Sequence, residues 1–181
     1  DRENPLQILE DVSEFTTMPI TFGGRIKTID DISARLKLGS DKVSINTIAF
    51  DNKKFIENAA KIFGSQCIVV SIDVKKIDDE YIVFVEGGKR STRLNVEEWS
   101  LEVEKRGAGE ILINSIDRDG SKLGFDITLI KKVVDKVSVP VIALGGAGDW
   151  SDFGEVFEKT GADAVAAGNI FHHYDQSVYL A

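Results

Sequence analysis

Short, unbroken apolar runs alternate along the chain with longer stretches whose apolar positions recur every three to four residues. That alternation predicts parallel βα units. Pro5 to Phe15 reads as a helix, with Leu6, Leu9, Val12 and Phe15 on one stripe. A strand over Met18 to Phe22 runs into Gly23-Gly24, followed by helix Asp30 to Leu38, strand Lys42 to Asn46 and helix Asn52 to Phe63. The run Cys67 to Ile72 suits a strand of a parallel sheet covered on both faces. Helix Val96 to Arg106, strand Glu110 to Ser115, helix Thr128 to Val137, strand Val139 to Leu144, helix Asp149 to Thr160 and strand Ala164 to Ala167 bring the total to six strands and six helices. Residues 75 to 94 break the rhythm. Tyr81 to Val85, Gly87-Gly88 and the basic run Lys89 to Arg93 predict a small excursion. No Pro- or Ser-rich linker divides the chain, so residues 1–181 read as a single domain.

An internal repeat bears on the fold class. Pro19-Ile20-Thr21-Phe22-Gly23-Gly24 resembles Pro140-Val141-Ile142-Ala143-Leu144-Gly145-Gly146, with the prolines 121 residues apart. Leu38-Gly39-Ser40-Asp41-Lys42-Val43 resembles Thr160-Gly161-Ala162-Asp163-Ala164-Val165, 122 residues on. Two consecutive βα units therefore recur later, with two more between them. Twins of those middle units fall before residue 1, which is Asp rather than Met. The expectation is an α/β chain holding six of the eight units of a (β/α)8 TIM barrel, a fold of about 250 residues when whole. An open, doubly wound six-stranded sheet is the alternative.

Composition narrows the function classes. The chain is 43% apolar and carries 22 basic against 30 acidic side chains, a formal charge of −8. It has no basic face for a nucleic-acid backbone or membrane surface, and no apolar run of the about 18 residues that span a bilayer. The single cysteine, Cys67, excludes an intrachain disulfide framework and fits a cytoplasmic location; it reads as a buried, inert thiol. His172 and His173 have no Cys or paired carboxylate at ligand spacing, so no metal is expected.

Four strands end in Gly-containing turns: Phe22-Gly23-Gly24-Arg25, Arg118-Asp119-Gly120, Gly145-Gly146-Ala147-Gly148 and Ala167-Gly168-Asn169. Glycine lets backbone N–H groups approach an anion, and the loops after the last two strands of a barrel are a frequent phosphate site. The repeat predicts a second phosphate site at Gly23-Gly24 with Ser44 to Thr47. Asp73 ends an apolar strand, where its carboxylate can work as a general base, or else cap a helix or pair with Lys75. Asp117 and Asp119 both lie past a strand end, and one of them is expected to be functional. The run Lys89 to Arg93 either gathers a phosphorylated substrate or is simply solvated. Trp99 and Trp150 read as packing residues.

Asp41 to Thr47, Phe63-Gly64-Ser65-Gln66, Ser71-Ile72-Asp73, Glu102 to Leu112 and Ser115 to Gly120 together resemble the cyclase subunit of imidazole glycerol phosphate synthase, over essentially the whole chain. The resemblance implies a barrel of the ribulose-phosphate-binding type. It implies a heterodimer with a glutaminase subunit, whose ammonia crosses the barrel and attacks a doubly phosphorylated ribulosyl aminoimidazole carboxamide nucleotide. The products are imidazole glycerol phosphate and aminoimidazole carboxamide ribonucleotide, with no cofactor. It further implies catalytic roles for Asp73 and Asp119, the family's second acid–base aspartate lying on a first strand absent here. Phosphate contacts fall to Gly24, Asn46 and Thr47 on one side, and to Gly120, Gly146, Ala147, Ala167 and Gly168 on the other. Asp41 matches a glutaminase-facing residue, and Lys42 and Glu110 match a charged ring that gates ammonia.

Three positions depart from the family pattern. Arg25 stands where a third glycine is usual, Leu144 where a serine precedes Gly145-Gly146, and Gly87 where the excursion loop carries a serine. They fit a paralogue that uses the same ammonia to form amidines on surface sugars. The absent first-strand aspartate also allows a non-catalytic chain that only binds the glutaminase.

Overall fold

The computed structural model describes residues 5–173. Its strands are β1 Thr21–Gly23, β2 Lys42–Ile45, β3 Ile68–Ile77, β4 Glu80–Val85, β5 Arg90–Asn95, β6 Glu110–Ser115, β7 Val141–Leu144 and β8 Ala164–Ala166. Its helices are α1 Pro5–Phe15, α2 Ile29–Lys37, α3 Thr47–Asp51, α4 Lys54–Phe63, α5 Val96–Lys105, α6 Ile127–Val134, α7 Ser151–Thr160 and α8 Ile170–His173. None of them is long and apolar enough to cross a membrane.

Six strands pair in parallel in the order β1-β2-β3-β6-β7-β8. A doubly wound sheet reverses its strand order at a switch point, and this path never does. The winding is that of a (β/α)8 barrel. Alternation along the strands builds the two faces. Val43, Ile45, Ile68, Val70, Ile72, Ile111 and Ile113 join helix residues such as Ile32, Ile56, Trp99, Val103 and Leu129 in the main core. Burying each of these side chains contributes about 1.5–3 kcal/mol. The intervening residues, among them Lys42, Asp73, Glu110 and Asn114, face the opposite side. There Lys42 of β2 and Glu110 of β6 form an ion pair although β3 lies between their strands, as a curled sheet allows.

The excursion is a hairpin. β3 runs on past the sheet, and its upper half pairs antiparallel with β4, which pairs with β5. The hairpin therefore takes the edge of β3 that β2 occupies lower down.

The repeat is visible in hydrogen bonds as well as sequence. Asp41 Oδ2 accepts from the Ile20 N–H at 2.8 Å, and its twin Asp163 Oδ2 accepts from the Val141 N–H at 2.9 Å. Asp31 Oδ2 accepts from the N–H groups of Lys27 and Thr28, and Asp152 Oδ2 from those of Gly148 and Asp149. Each such carboxylate satisfies N–H groups that a helix start would leave unpaired.

Several elements differ from the sequence expectation. The helix expected over Asn52 to Phe63 is α4, which begins at Lys54, and a short helix that was not expected, α3, precedes it. The strand expected from Met18 begins only at Thr21. Cys67 ends a 3₁₀ turn, Ser65–Cys67, and is half-buried rather than part of a covered strand. On α1 the stripe is real but only Leu9 is buried; Phe15 is 87% exposed. Trp99 packs edge-on against Phe50, with ring centroids 5.7 Å apart, and Trp150 packs against Phe153 and Phe171.

Candidate functional site

At the C-terminal ends of the strands, Asp73 of β3 lies in register with Asn114 of β6. Asn114 Nδ2 donates to Asp73 Oδ1 at 3.0 Å, and Asn46 Nδ2, just past β2, reaches Asp73 Oδ2 at 3.3 Å and the Ser71 carbonyl at 3.0 Å. Both carboxylate oxygens are thus held by neutral amides. Burial pushes the Asp73 carboxyl above the usual carboxylate range, and the negative charge of nearby Asp119 adds to this; the two asparagine hydrogen bonds pull the other way. A carboxylate shifted upward and held in one orientation suits proton transfer.

A cavity of about 710 Å³ opens beside Asp73. Gly24, Asn46 and Thr47 line it, together with Ser44, Ser71, Arg25 and the hairpin tip Glu86-Gly87. The Thr47 hydroxyl accepts from the Glu86 N–H at 3.0 Å, which latches the hairpin to the β2 loop. A second, small pocket of about 20 Å³ is lined by Asp119, Gly120, Leu144, Gly146, Ala147, Ala167 and Gly168. Its tightness has a backbone cause. Gly124 N–H donates to the Gly146 carbonyl at 2.9 Å, and a Cβ on Gly146 would stand 2.2 Å from the Gly124 carbonyl oxygen. Only glycine lets these loops meet.

The thirteen residues singled out in the sequence thus fall into three groups. Gly24, Asn46, Thr47 and Asp73 share the large cavity, and Asp119, Gly120, Gly146, Ala147, Ala167 and Gly168 share the small one. Asp41, Lys42 and Glu110 sit at the other ends of their strands, with Lys42 and Glu110 paired and Asp41 tied to β1.

The family model described as histidine biosynthesis protein matches residues 1–177. The imidazole glycerol phosphate synthase subunit HisF of Saccharolobus solfataricus is 49% identical over 91% of this chain and 66% of its own length. Its counterpart from Sulfurisphaera tokodaii is 47% identical over 94% and 68%, and that of Clostridium botulinum strain Okra 45% identical over 98% and 71%. The chain belongs to this histidine biosynthesis family. It spans about two thirds of the length of the curated HisF relatives it matches.

Within the family frame, Asn114 is the site residue that sequence reasoning missed. Its signal was a polar residue closing an apolar strand, but its meaning depends on which strand pairs with β3. Of Asp117 and Asp119, Asp117 Oδ2 accepts from the Lys76 N–H at 2.9 Å, and Asp119 lines the small pocket. In the basic run, Arg90 is tied to Asp51 and Glu86 at 2.6 and 2.7 Å. Among the described residues, no group of three His, Cys, Asp or Glu could hold a metal ion.

Proposed function

We propose that the chain carries the cyclase chemistry of imidazole glycerol phosphate synthase, in the ammonia-dependent, lyase-type ring-forming step. The observation that carries this reading is Asp73: a half-buried carboxylate that lines the large cavity, fixed by Asn46 and Asn114, and near the charge of Asp119 in the small Gly-rich pocket. In this reading the substrate is the doubly phosphorylated ribulosyl aminoimidazole carboxamide nucleotide. One phosphate lies at Gly24, Asn46 and Thr47, and the other at Gly120, Gly146, Ala147, Ala167 and Gly168. Asp73 takes a proton as ammonia adds and the ring closes, and Asp119 works beside it. No cofactor is needed for proton transfer of this kind. A glutaminase subunit supplies the ammonia from the opposite face, by Asp41, and the Lys42–Glu110 pair stands in the ammonia path. A cytoplasmic location and a single-domain organisation belong to the same reading.

Ammonium salts replace the glutaminase in the test. With the complete protein, Asp73→Asn is expected to lower ammonia-dependent turnover by about 10²–10⁴-fold, the usual contribution of a positioned acid or base. Full turnover by that variant sinks the proposal. Arg25 and Leu144 favour a second reading, amidine formation on surface sugars. Wild-type protein that ignores the nucleotide but retains ammonia-dependent reaction with a sugar acceptor selects it.

A further inference from the structure

We propose that Arg25 is a specificity-determining residue of the large cavity. Its guanidinium takes a phosphate monoester at the loop between β1 and α2, and the buried Arg35 holds that loop in place. The inference deepens the reading of this rim as a phosphate site and rests on it.

Arg25 lines the cavity with a backbone φ of 55°, a left-handed conformation that strains a residue with a long side chain. The cavity's carboxylates are engaged, and Lys27 is the other cation of the lining. Asp51 and Glu86 pair with Arg90, and Asp73 is held by two amides. Arg25 has no carboxylate partner among the described residues. A planar five-donor fork with no carboxylate of its own, beside Lys27, is suited to a phosphate.

Below it, Arg35 of α2 is only 5% exposed. It donates through Nη2 to the Gly24 carbonyl at 3.0 Å and through Nη1 to the Asp31 carbonyl at 2.8 Å, and lies 5.8 Å from the centre of the Phe22 ring. Its Nε is buried without a partner, and the nearest Asp31 carboxylate oxygen is 4.0 Å away. An arginine buried this incompletely is destabilising by itself. What it does is fix the Gly24–Arg25 peptide. With the Gly24 carbonyl turned to α2, the trans peptide aims the Arg25 N–H the opposite way. Gly24 and Arg25 both line the cavity, and nothing lies within 4 Å of a Cβ built on Gly24. Arg35 is thus a positioning residue for both the N–H and the guanidinium of Arg25.

Inorganic phosphate titrated into ¹⁵N-labelled protein provides the test. Amide shifts of Gly24, Asn46 and Thr47 read the first rim, and those of Gly146 and Gly168 the second, which also reports on folding. Arg25→Gln is expected to weaken phosphate at the first rim about tenfold and leave the second unchanged, with Arg25→Lys in between. Arg35→Leu is expected to weaken the first rim too, Arg35→Lys to recover part, and the Arg25→Gln/Arg35→Leu double variant to bind no worse than the weaker single. First-rim affinity of Arg25→Gln within about twofold of wild type overturns the proposal, as do wild-type first-rim amides that ignore phosphate. Should Arg25→Gln lose the second-rim signals, Arg25→Gly, which relieves the positive φ, takes its place with the same expected loss. Since neither nucleotide nor ammonia enters the titration, failure of the cyclase reading and failure of this one are seen separately.

Discussion

Asp73 and Asn114 face each other across two strands and share a hydrogen bond at 3.0 Å. Asp73 stood out in the sequence because its carboxylate follows the apolar run Cys67 to Ile72. Its partner did not, since Asn114 lies 41 residues away and meets Asp73 only through the pairing of β3 with β6. The amide donates to the charged form of the carboxyl and so holds its pKa down against burial. Replacing Asn114 with the similar-sized Leu removes that donor, so the Asp73 carboxyl should rise further. A base is lost on protonation, so the acid limb of kcat/KM against pH should move to higher pH in Asn114→Leu. A limb unmoved from wild type would mean that Asn114 does not set the protonation of Asp73.

At the scale of elements, the hairpin of β4 and β5 is the part that departs from simple βα alternation, and buried side chains tie it down. Tyr81 of β4, 6% exposed, donates its hydroxyl to Asp126, which also accepts from the Leu129 N–H and so caps α6. Burial, then the Asp126 charge, push the Tyr81 phenol up to about 12. The raised value means that its stabilisation is complete below the ordinary phenol pKa of 10.0 and is lost as pH climbs through about 12. Tyr81→Phe should therefore cost about 1 kcal/mol in urea unfolding near neutral pH. Its deficit against wild type should shrink above pH 10. A constant deficit across that range would remove the hydroxyl from the account. The sequence announced the excursion by its broken rhythm but not its anchor, because a Tyr–Asp contact 45 residues apart leaves no local trace. The short helix α3 was missed because five residues are too few to show a helical period.

Over the whole molecule, strand order sorts stability. β3 and β6 have parallel partners on both edges, whereas β1 and β8 each have one among the described residues. Native-state hydrogen exchange should find the amides of Ile68 to Ile72 and Ile111 to Ile113 among the slowest, and those of β1 and β8 opening at lower free energy. Equal protection across all six strands would show one cooperative unit with no such gradient. The sequence by itself determined the βα alternation, the repeat and the strand-end glycines, because period, turn chemistry and self-similarity are local properties. The Asp–backbone staples of the two halves repeat with it. Only the tertiary structure decided the unreversed strand order and the Asp73–Asn114 register. It alone also brought Arg35 beneath the Gly24 loop. Those depend on how a twisted sheet curls and which edges meet, and no stretch of chain encodes that alone.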